Sequence, residues 1–281
     1  YGDHRDLHYP LRRQRQMCIR DRIISVWGSD ILITPNKNPV CKKIIQYSLK
    51  KADKIHSVSD IITNKCVELG VPEDKIFTVP IGVDTQTFNP EVDGSRVREE
   101  LGWQDNPIVV STRNLEPIYN IELLIKAIPI VVKKNPEVRF LIIGDGSLKK
   151  QLMDLSEKLH VSKYVKFTGY LPNEKLPEYL NAVDIYVSTS KSDSLGVSNL
   201  EAMACGVFPI LTDIPAIREY IKHGENGFLT SINTPETLAY FILNALGDTN
   251  LRKNASSKNQ NLVKHDFSLE KTIDNLNSWY T

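Results

Sequence analysis

The chain has 281 residues, enough for one large domain or two of medium size. Its hydrophobic fraction of 41% and its charged fraction of 25% are those of an ordinary globular protein. A formal net charge of +1 gives no electrostatic reason to expect nucleic acid as a partner, and no apolar run is long enough to span a bilayer. This composition leaves open a peripheral contact with a membrane surface.

The cysteines and histidines form no recognisable metal-binding pattern. The 4 cysteines are scattered without CxxC spacing, and the 6 histidines do not cluster. Scattered free thiols are typical of a reducing compartment. We therefore predict a cytoplasmic protein, free or at the inner face of the membrane, with no metal site.

The first 22 residues differ from the rest of the chain. They are basic, lack apolar periodicity, and match neither a signal peptide nor a transit peptide. Their run RRQRQMCIRDR resembles translated adaptor or vector sequence. We expect residues 1–22 to be a non-native leader, so that the natural protein extends further at its N-terminus. The alternative is a natural basic arm.

Residues 23–90 alternate short apolar stretches with segments of helical spacing. Gly70 and the nearby Pro72 are typical of a helix end. This pattern predicts the final part of an α/β domain. The predicted elements are a strand and a turn within 23–34, a helix over 39–51, a strand over 54–59, a helix from 60 to about 69 and a strand over 76–79.

A polar connection over about 85–105, with a short helix near 95–101, precedes a second α/β region at 91–265. Strands that alternate with helices predict a parallel sheet covered by helices on both faces. A last helix is predicted within 266–281. The predicted strands are 108–111, 139–143, 165–168, 185–188, 208–211 and 227–230, and the predicted helices are 120–134, 147–159, 176–181 with Asn173 as its cap, 197–205, 215–221, 235–246, 250–264 and 269–279.

The loop at 189–196 carries the strongest chemical signal. In open α/β sheets, ligands bind beyond the carboxyl ends of the strands, and this loop joins such an end to a helix. The helix start offers N–H groups and a positive dipole end to phosphate, and Gly196 permits close backbone approach. Asp193 and Glu201 can both face a ligand bound there. The alternative is a capped helix with two solvated carboxylates.

The string DSLGVSNLEAMACG at 193–206 closely resembles the signature of glycosyltransferase family 4, also described as glycosyl transferases group 1. That signature is an acid, seven residues, a glutamate and then Ala-Met-Ala-Cys-Gly. The family usually has Glu where this chain has Asp193. VPIGVD at 79–84 resembles the family's hinge, and WGSD at 27–30 resembles its acceptor-side turn, with Trp27 in place of a common His.

The resemblance covers about 23–279 and implies the GT-B fold, an α/β architecture with two Rossmann-like domains and parallel sheets. It assigns 23–90 to an acceptor-side domain, incomplete here, and 91–265 to the domain that binds the donor nucleotide. The segment STRNL at 111–115 also resembles the family, and the resemblance implies that Arg113 contacts the donor phosphate. The family then usually has Lys followed by Gly, where this chain has Tyr119 and Asn120.

The resemblance also implies individual roles in the site. Glu201 would hold the ribose and Asp193 the hydroxyls of the donor sugar, while FTGY at 167–170 would line the nucleobase pocket. Backbone amides from 194 to 197 would stabilise the diphosphate leaving group with Arg113. The expected catalytic residues are Asp193 and Arg113, and the expected substrate-binding residues are Glu201, Ser194, Leu195, Gly196, Val197, Gly169, Tyr170, Tyr119 and Asn120.

The function implied is that of a retaining glycosyltransferase in polysaccharide biosynthesis. It would move a sugar from a nucleotide-diphosphate sugar to a saccharide or lipid-linked acceptor, without a metal or another cofactor. Two alternatives stay open: a catalytically silent nucleotide-binding fragment, favoured by the missing Lys, and a sugar-nucleotide epimerase of the same fold. The sequence indicates no oligomeric state.

Overall fold

A computed structural model describes residues 22–231 and 233–280, and the chain divides into two compact units between Thr78 and Val79. Each unit has its own sheet, and every strand pair in both sheets is parallel, as predicted. Apart from Arg22, the expected leader lies outside the described residues. Among the described residues, no helix has both the length and the apolar character needed to cross a bilayer.

The first unit contains a three-stranded sheet in the order β1-β2-β3. Ile55 of the central strand is fully buried. Asn38 begins the long helix of this unit by accepting a hydrogen bond from the Cys41 amide (2.8 Å), and Pro39 occupies the first helical position. The elements are β1 (Ile23–Val26), α1 (Ser29–Leu32), α2 (Pro39–Lys51), β2 (Lys54–Ser57), α3 (Asp60–Glu68) and β3 (Ile76–Thr78).

The second unit contains a six-stranded sheet in the order β6-β5-β4-β7-β8-β9. The chain enters the sheet at β4, moves outward to β6, and returns to the other side of β4 with β7. This reversal is the topological switch point at which open α/β sheets bind ligands. The strands are β4 (Ile108–Ser111), β5 (Arg139–Ile143), β6 (Val165–Gly169), β7 (Ile185–Ser188), β8 (Phe208–Thr212) and β9 (Phe228–Thr230).

Helices cover both faces of this sheet. Successive residues of a strand point to opposite faces, so Val109 and Ile142 belong to one buried cluster and Val110 and Leu141 to the other. The helices are α4 (Ser95–Leu101), α5 (Ile121–Lys134), α6 (Lys149–Lys158), α7 (Leu176–Asn181), α8 (Val197–Ala204), α9 (Pro215–Arg218), α10 (Pro235–Gly247), α11 (Thr249–Asp266) and α12 (Leu269–Tyr280).

Two local predictions in the second unit are wrong. The helix predicted over 215–221 ends at Arg218, and the Asn226 side chain accepts from the Lys222 amide (2.7 Å) in the turn that follows. Asn173 is not the cap of α7, because it begins a 3-10 turn that runs directly into the helix. At the end of α9 a short-range polar contact accompanies the end of the helix, whereas at α7 the chain is already turned when the helix begins.

Backbone hydrogen bonds join the start of the second unit to the connection between its last two helices, α11 and α12. The Val83 amide donates to the Phe267 carbonyl (2.8 Å), and the Leu269 amide donates to the Val83 carbonyl (2.9 Å). Gly82 lies against this connection, and a Cβ atom there would overlap the backbone carbonyl of Ser268. The glycine is therefore required by close backbone approach.

We predict that Gly82→Ala destabilises the second unit by roughly 1–3 kcal/mol, because the added methyl group must displace the chain at Ser268. Chemical denaturation would measure the change in the free energy of unfolding. Gly247→Ala is the matched control, since its Cβ atom would meet open space at a helix end. Equal effects of the two substitutions would contradict the prediction.

Candidate functional site

The carboxyl ends of β4 and β7 lie side by side at the switch point, where the two neighbouring strands pair through Val110 and Tyr186. Arg113 follows β4, and Asp193 lies in the loop that follows β7. The structure brings these two predicted residues together: Nη2 of Arg113 lies 2.6 Å from Oδ2 of Asp193, across 80 positions of sequence.

Three contacts hold the Arg113 side chain, which is only 8% exposed. Besides the ion pair, Nη1 donates to Oγ of Ser198 (2.7 Å), and the guanidinium lies over the ring of Tyr119, 4.4 Å from its centroid. A planar cation on an aromatic face is a favourable arrangement for arginine. Its Nε is buried and has no hydrogen-bond partner among the described residues. The side chain is thus fixed but retains unused donors.

Ser198 contributes to this site although it is not among the residues predicted from the sequence. Its Oγ accepts hydrogen bonds from both Arg113 and the hydroxyl of Tyr186, the latter at 3.1 Å. A sequence signal for this contact did exist: Tyr186 lies inside an apolar strand, and a buried tyrosine hydroxyl needs a partner. That partner lies in the first turn of α8.

The turn that replaces the expected Lys-Gly pair packs against the loop after β7. Thr189 Oγ1 donates to the carbonyls of Tyr119 (3.1 Å) and Asn120 (2.9 Å), and the Lys191 amide donates to the Ile118 carbonyl (2.8 Å). Asn120 has a φ of 52°, in the left-handed region that asparagine tolerates better than most residues. Asn120 therefore supplies the left-handed backbone conformation of this turn, while the ring of Tyr119 packs against the guanidinium of Arg113.

The start of helix α8 is shaped by Gly196, which has a φ of 73°. A Cβ atom at this position would overlap the side-chain amide of Asn199. Asp193 accepts a hydrogen bond from the Ser194 amide through Oδ1 (3.0 Å), so its two oxygens hold both the loop and Arg113. Leu195 is buried beside them.

Glu201 lies one turn into α8, as predicted, and is half-buried. Burial raises its pKa to about 7, and the charge of Arg113 opposes this rise. At neutral pH this carboxyl group is therefore divided between its neutral and ionised forms. It can either donate or accept a hydrogen bond to a ligand hydroxyl.

Gly169 and Tyr170 lie at the carboxyl end of β6. They share the ligand-binding edge of the sheet with Arg113, but β5 lies between, which places them roughly 10 Å away. The Gly169 carbonyl accepts from the Gly144 amide (2.9 Å), and the side chain of Tyr170 is 75% exposed. This part of the edge offers an exposed aromatic ring separate from the Arg113 cluster.

No group of three or more His, Cys, Asp or Glu side chains that could hold a metal ion occurs within residues 22–231 and 233–280. The cysteines at 41, 66 and 205 are free thiols. The positive charge of the candidate site comes from Arg113 and from the start of helix α8.

Comparison with known families gives two matches. The sequence model of the family described as glycosyl transferases group 1 matches residues 94–262, which is more than half of the chain. A second family model, described as glycosyl transferase 4-like, matches residues 15–59. The two matches follow each other along the chain in the order that the resemblance of the motifs predicts.

Among curated proteins, the chain is similar to N-acetyl-alpha-D-glucosaminyl L-malate synthase of Bacillus anthracis, with 26% identity over 92% of this chain and 67% of that protein. It is 27% identical to the GDP-mannose-dependent alpha-(1-6)-phosphatidylinositol monomannoside mannosyltransferase of Mycolicibacterium smegmatis, over 75% of this chain and 57% of that protein. The chain thus spans between 57% and 67% of the length of these relatives.

Solved structures share the fold. Anabaena HepE in complex with UDP and glucose has a TM-score of 0.85 at 22% identity, covering 94% of this chain and 72% of that chain. Sucrose-phosphate synthase from Thermosynechococcus elongatus has a TM-score of 0.80 at 20% identity, covering 95% and 69%. The predicted α/β fold of the GT-B type, with parallel sheets, is confirmed.

We predict that Glu201→Gln removes a pH dependence of stability. Because the pKa of Glu201 is raised from 4.5 to about 7, the folded state binds more protons than the unfolded state between these values, and stability falls as pH rises through them. The variant should therefore exceed the wild type by roughly 1–3 kcal/mol at pH 8 and match it at pH 4, below the unfolded-state pKa. Denaturation at both pH values would measure this, with exposed Glu157→Gln as control. Parallel curves for Glu201→Gln and the wild type would refute the assignment.

A second prediction concerns the turn before α8. Gly196→Ala should lower stability by roughly 1–3 kcal/mol, because alanine is strained at a φ of 73° and its methyl group overlaps Asn199. Thermal denaturation would measure the loss. Gly224→Ala is the matched control, since it has a φ of 81° but meets no neighbouring atom. If both variants lose the same stability, the overlap with Asn199 has no energetic effect.

Proposed function

Because the chain belongs to the glycosyl transferases group 1 family, we propose that it transfers a sugar from a nucleotide-diphosphate sugar to a saccharide or lipid-linked acceptor, with retention of configuration. The observation that carries this proposal is the buried guanidinium of Arg113 beside the start of α8, at the switch point of the sheet. A fixed cation and a helix start together form a binding site for diphosphate.

In the proposed mechanism, stabilisation of the leaving group is the main catalytic effect. When the bond to the donor sugar breaks, negative charge develops on the diphosphate, and Arg113 and backbone amides at the start of α8 are proposed to face that charge. Of the amides expected at 194–197, that of Ser194 donates to Asp193 instead. Guanidinium carries five N–H groups, of which Asp193 and Ser198 engage two. Arg113 can therefore bind phosphate without releasing either partner. The mechanism uses no metal and no other cofactor.

The remaining residues are proposed to orient the donor. Glu201 holds the ribose hydroxyls, since its carboxyl group lies one turn into α8. Asp193 contacts hydroxyls of the donor sugar while it holds Arg113. Gly169 and the exposed ring of Tyr170 border the nucleobase, at the distance from the diphosphate site that two strand spacings provide.

The names of similar proteins support this class of donor. One relative is named a GDP-mannose-dependent alpha-(1-6)-phosphatidylinositol monomannoside mannosyltransferase, and HepE was solved with UDP and glucose. The phosphatidylinositol monomannoside in the first name agrees with a lipid-linked acceptor, whereas another relative is named an N-acetyl-alpha-D-glucosaminyl L-malate synthase, and L-malate is neither a saccharide nor a lipid. We propose a cytoplasmic location, free or at the inner face of the membrane, and a role in polysaccharide biosynthesis. Free thiols at 41, 66 and 205 agree with a reducing compartment.

A second candidate function is nucleotide binding without catalysis. One observation favours it: Tyr119 and Asn120 stand where the family usually has Lys and Gly, so the site has one cation fewer for the diphosphate. The ring of Tyr119 lies against the guanidinium of Arg113 instead. Turnover of a bound nucleotide sugar distinguishes the two candidates.

Titration calorimetry with UDP, GDP and ADP tests the proposed function. We expect one nucleotide to bind, and Glu201→Ala and Arg113→Lys each to weaken it roughly tenfold or more, since each removes a hydrogen bond to a charged or polar group. Arg96→Lys and Glu157→Ala are controls at exposed positions. If no nucleotide binds, or if the site variants bind as well as the wild type, the proposed site is wrong. Binding without turnover of the corresponding nucleotide sugars would favour the silent module.

A further inference from the structure

Tyr220 is a buried residue that follows α9, and its hydroxyl lies behind the loop that precedes α8. The hydroxyl donates to the Leu195 carbonyl at 2.8 Å and accepts from Nδ2 of Asn199 at 2.9 Å. Burial raises the pKa of Tyr220 far above its ordinary value, so the phenol remains a donor throughout the physiological range. Its two partners flank the three residues from Gly196 to Ser198.

The bond to Leu195 determines which way the next amide points. The described residues contain no cis peptide bond, so the C=O of Leu195 and the N–H of Gly196 point in opposite directions. Since the carbonyl is held toward Tyr220, the Gly196 N–H points away from Tyr220. No hydrogen-bond acceptor for this N–H is present within the described part of the chain.

The Gly196 amide is followed by the first amides of α8, which lack intrahelical acceptors because they begin the helix. Arg113 lies against the same turn through Ser198, and its Nε is buried without a partner among the described residues. Amides and a guanidinium with an unpartnered donor therefore lie around the same turn. This is a set of groups that suits an anion with several oxygens.

We infer that Tyr220 is a positioning residue for the diphosphate: its hydroxyl holds the Leu195–Gly196 peptide so that the Gly196 N–H faces the anion. This inference rests on the proposed function. Tyr220 does not touch the ligand and acts through the peptide that it holds. Glycine permits several backbone conformations, so the hydroxyl of Tyr220 adds a restraint on the orientation of the Leu195–Gly196 peptide.

Tyr220→Phe tests this role with little change in shape. We expect the affinity for the nucleoside diphosphate that the wild type binds to fall about five- to tenfold, since one oriented hydrogen bond to a charged group is weakened. The affinity for the matching nucleoside, which has no phosphate, should not change. Tyr240→Phe is the matched control, because that ring is 60% exposed on α10.

The two affinities separate positioning from a general structural role. Equal losses for nucleoside and nucleoside diphosphate, or no loss for either, would overturn the inference while leaving the proposed function intact. If the wild type binds none of UDP, GDP and ADP, the proposed function fails and the inference fails with it. Nucleotide binding by the wild type therefore distinguishes failure of the proposed function from failure of the inference about Tyr220.

A second measurement reports on the amide itself. Labelling the 14 glycines with ¹⁵N gives a small set of backbone signals, among which Gly196 is followed during titration with the nucleoside diphosphate. We expect a large shift of the Gly196 signal in the wild type and a clearly smaller one in Tyr220→Phe at saturating ligand. Identical shifts in both proteins would show that Tyr220 does not orient this N–H.

Discussion

The buried ion pair between Arg113 and Asp193 is the interaction on which the candidate site depends. It joins the loop after β4 to the loop after β7, where the sheet order reverses. Removing a guanidinium and a carboxylate from water is costly, and their attraction in the protein often does no more than offset that cost. In other proteins, apolar side chains of similar size often stabilise the fold at least as well as a buried ion pair. The pair is therefore better explained by a site that requires a fixed cation than by stability.

Neighbouring polar groups make this arrangement rigid. Ser198 receives hydrogen bonds from Arg113 and Tyr186, and Tyr119 covers one face of the guanidinium. Tyr220 holds the opposite side of the turn that begins α8. The hydroxyls of Ser198, Tyr186 and Tyr220 each have a hydrogen-bond partner within the protein, which limits the cost of burying them. The result is a preorganised set of donors, and such groups stabilise developing charge without needing to reorganise.

Much of this fold could be predicted from local patterns. β4, β5 and β7 are short apolar runs bounded by turn residues, and their predicted limits agree with the structure. The predicted end of α9 was wrong, because the side chain of Asn226 accepts a hydrogen bond from a backbone amide that would otherwise belong to a longer helix. In the site, the resemblance to the family pointed to Arg113, Asp193 and Glu201. It did not locate Ser198 or Tyr220, whose contribution comes from hydrogen bonds to residues that no local pattern connects to them.

The sequence by itself determined the α/β class, the order of strands and helices, and the acidic signature at the start of α8, because periodicity and turn residues are local properties of the chain. Only the tertiary structure decided that the guanidinium of Arg113 meets Asp193 and the ring of Tyr119, and that burial brings the pKa of Glu201 to about 7. These properties depend on which strands are neighbours. Parallel strands placed side by side bring together loops that are 80 residues apart, and the surrounding core then removes them from water.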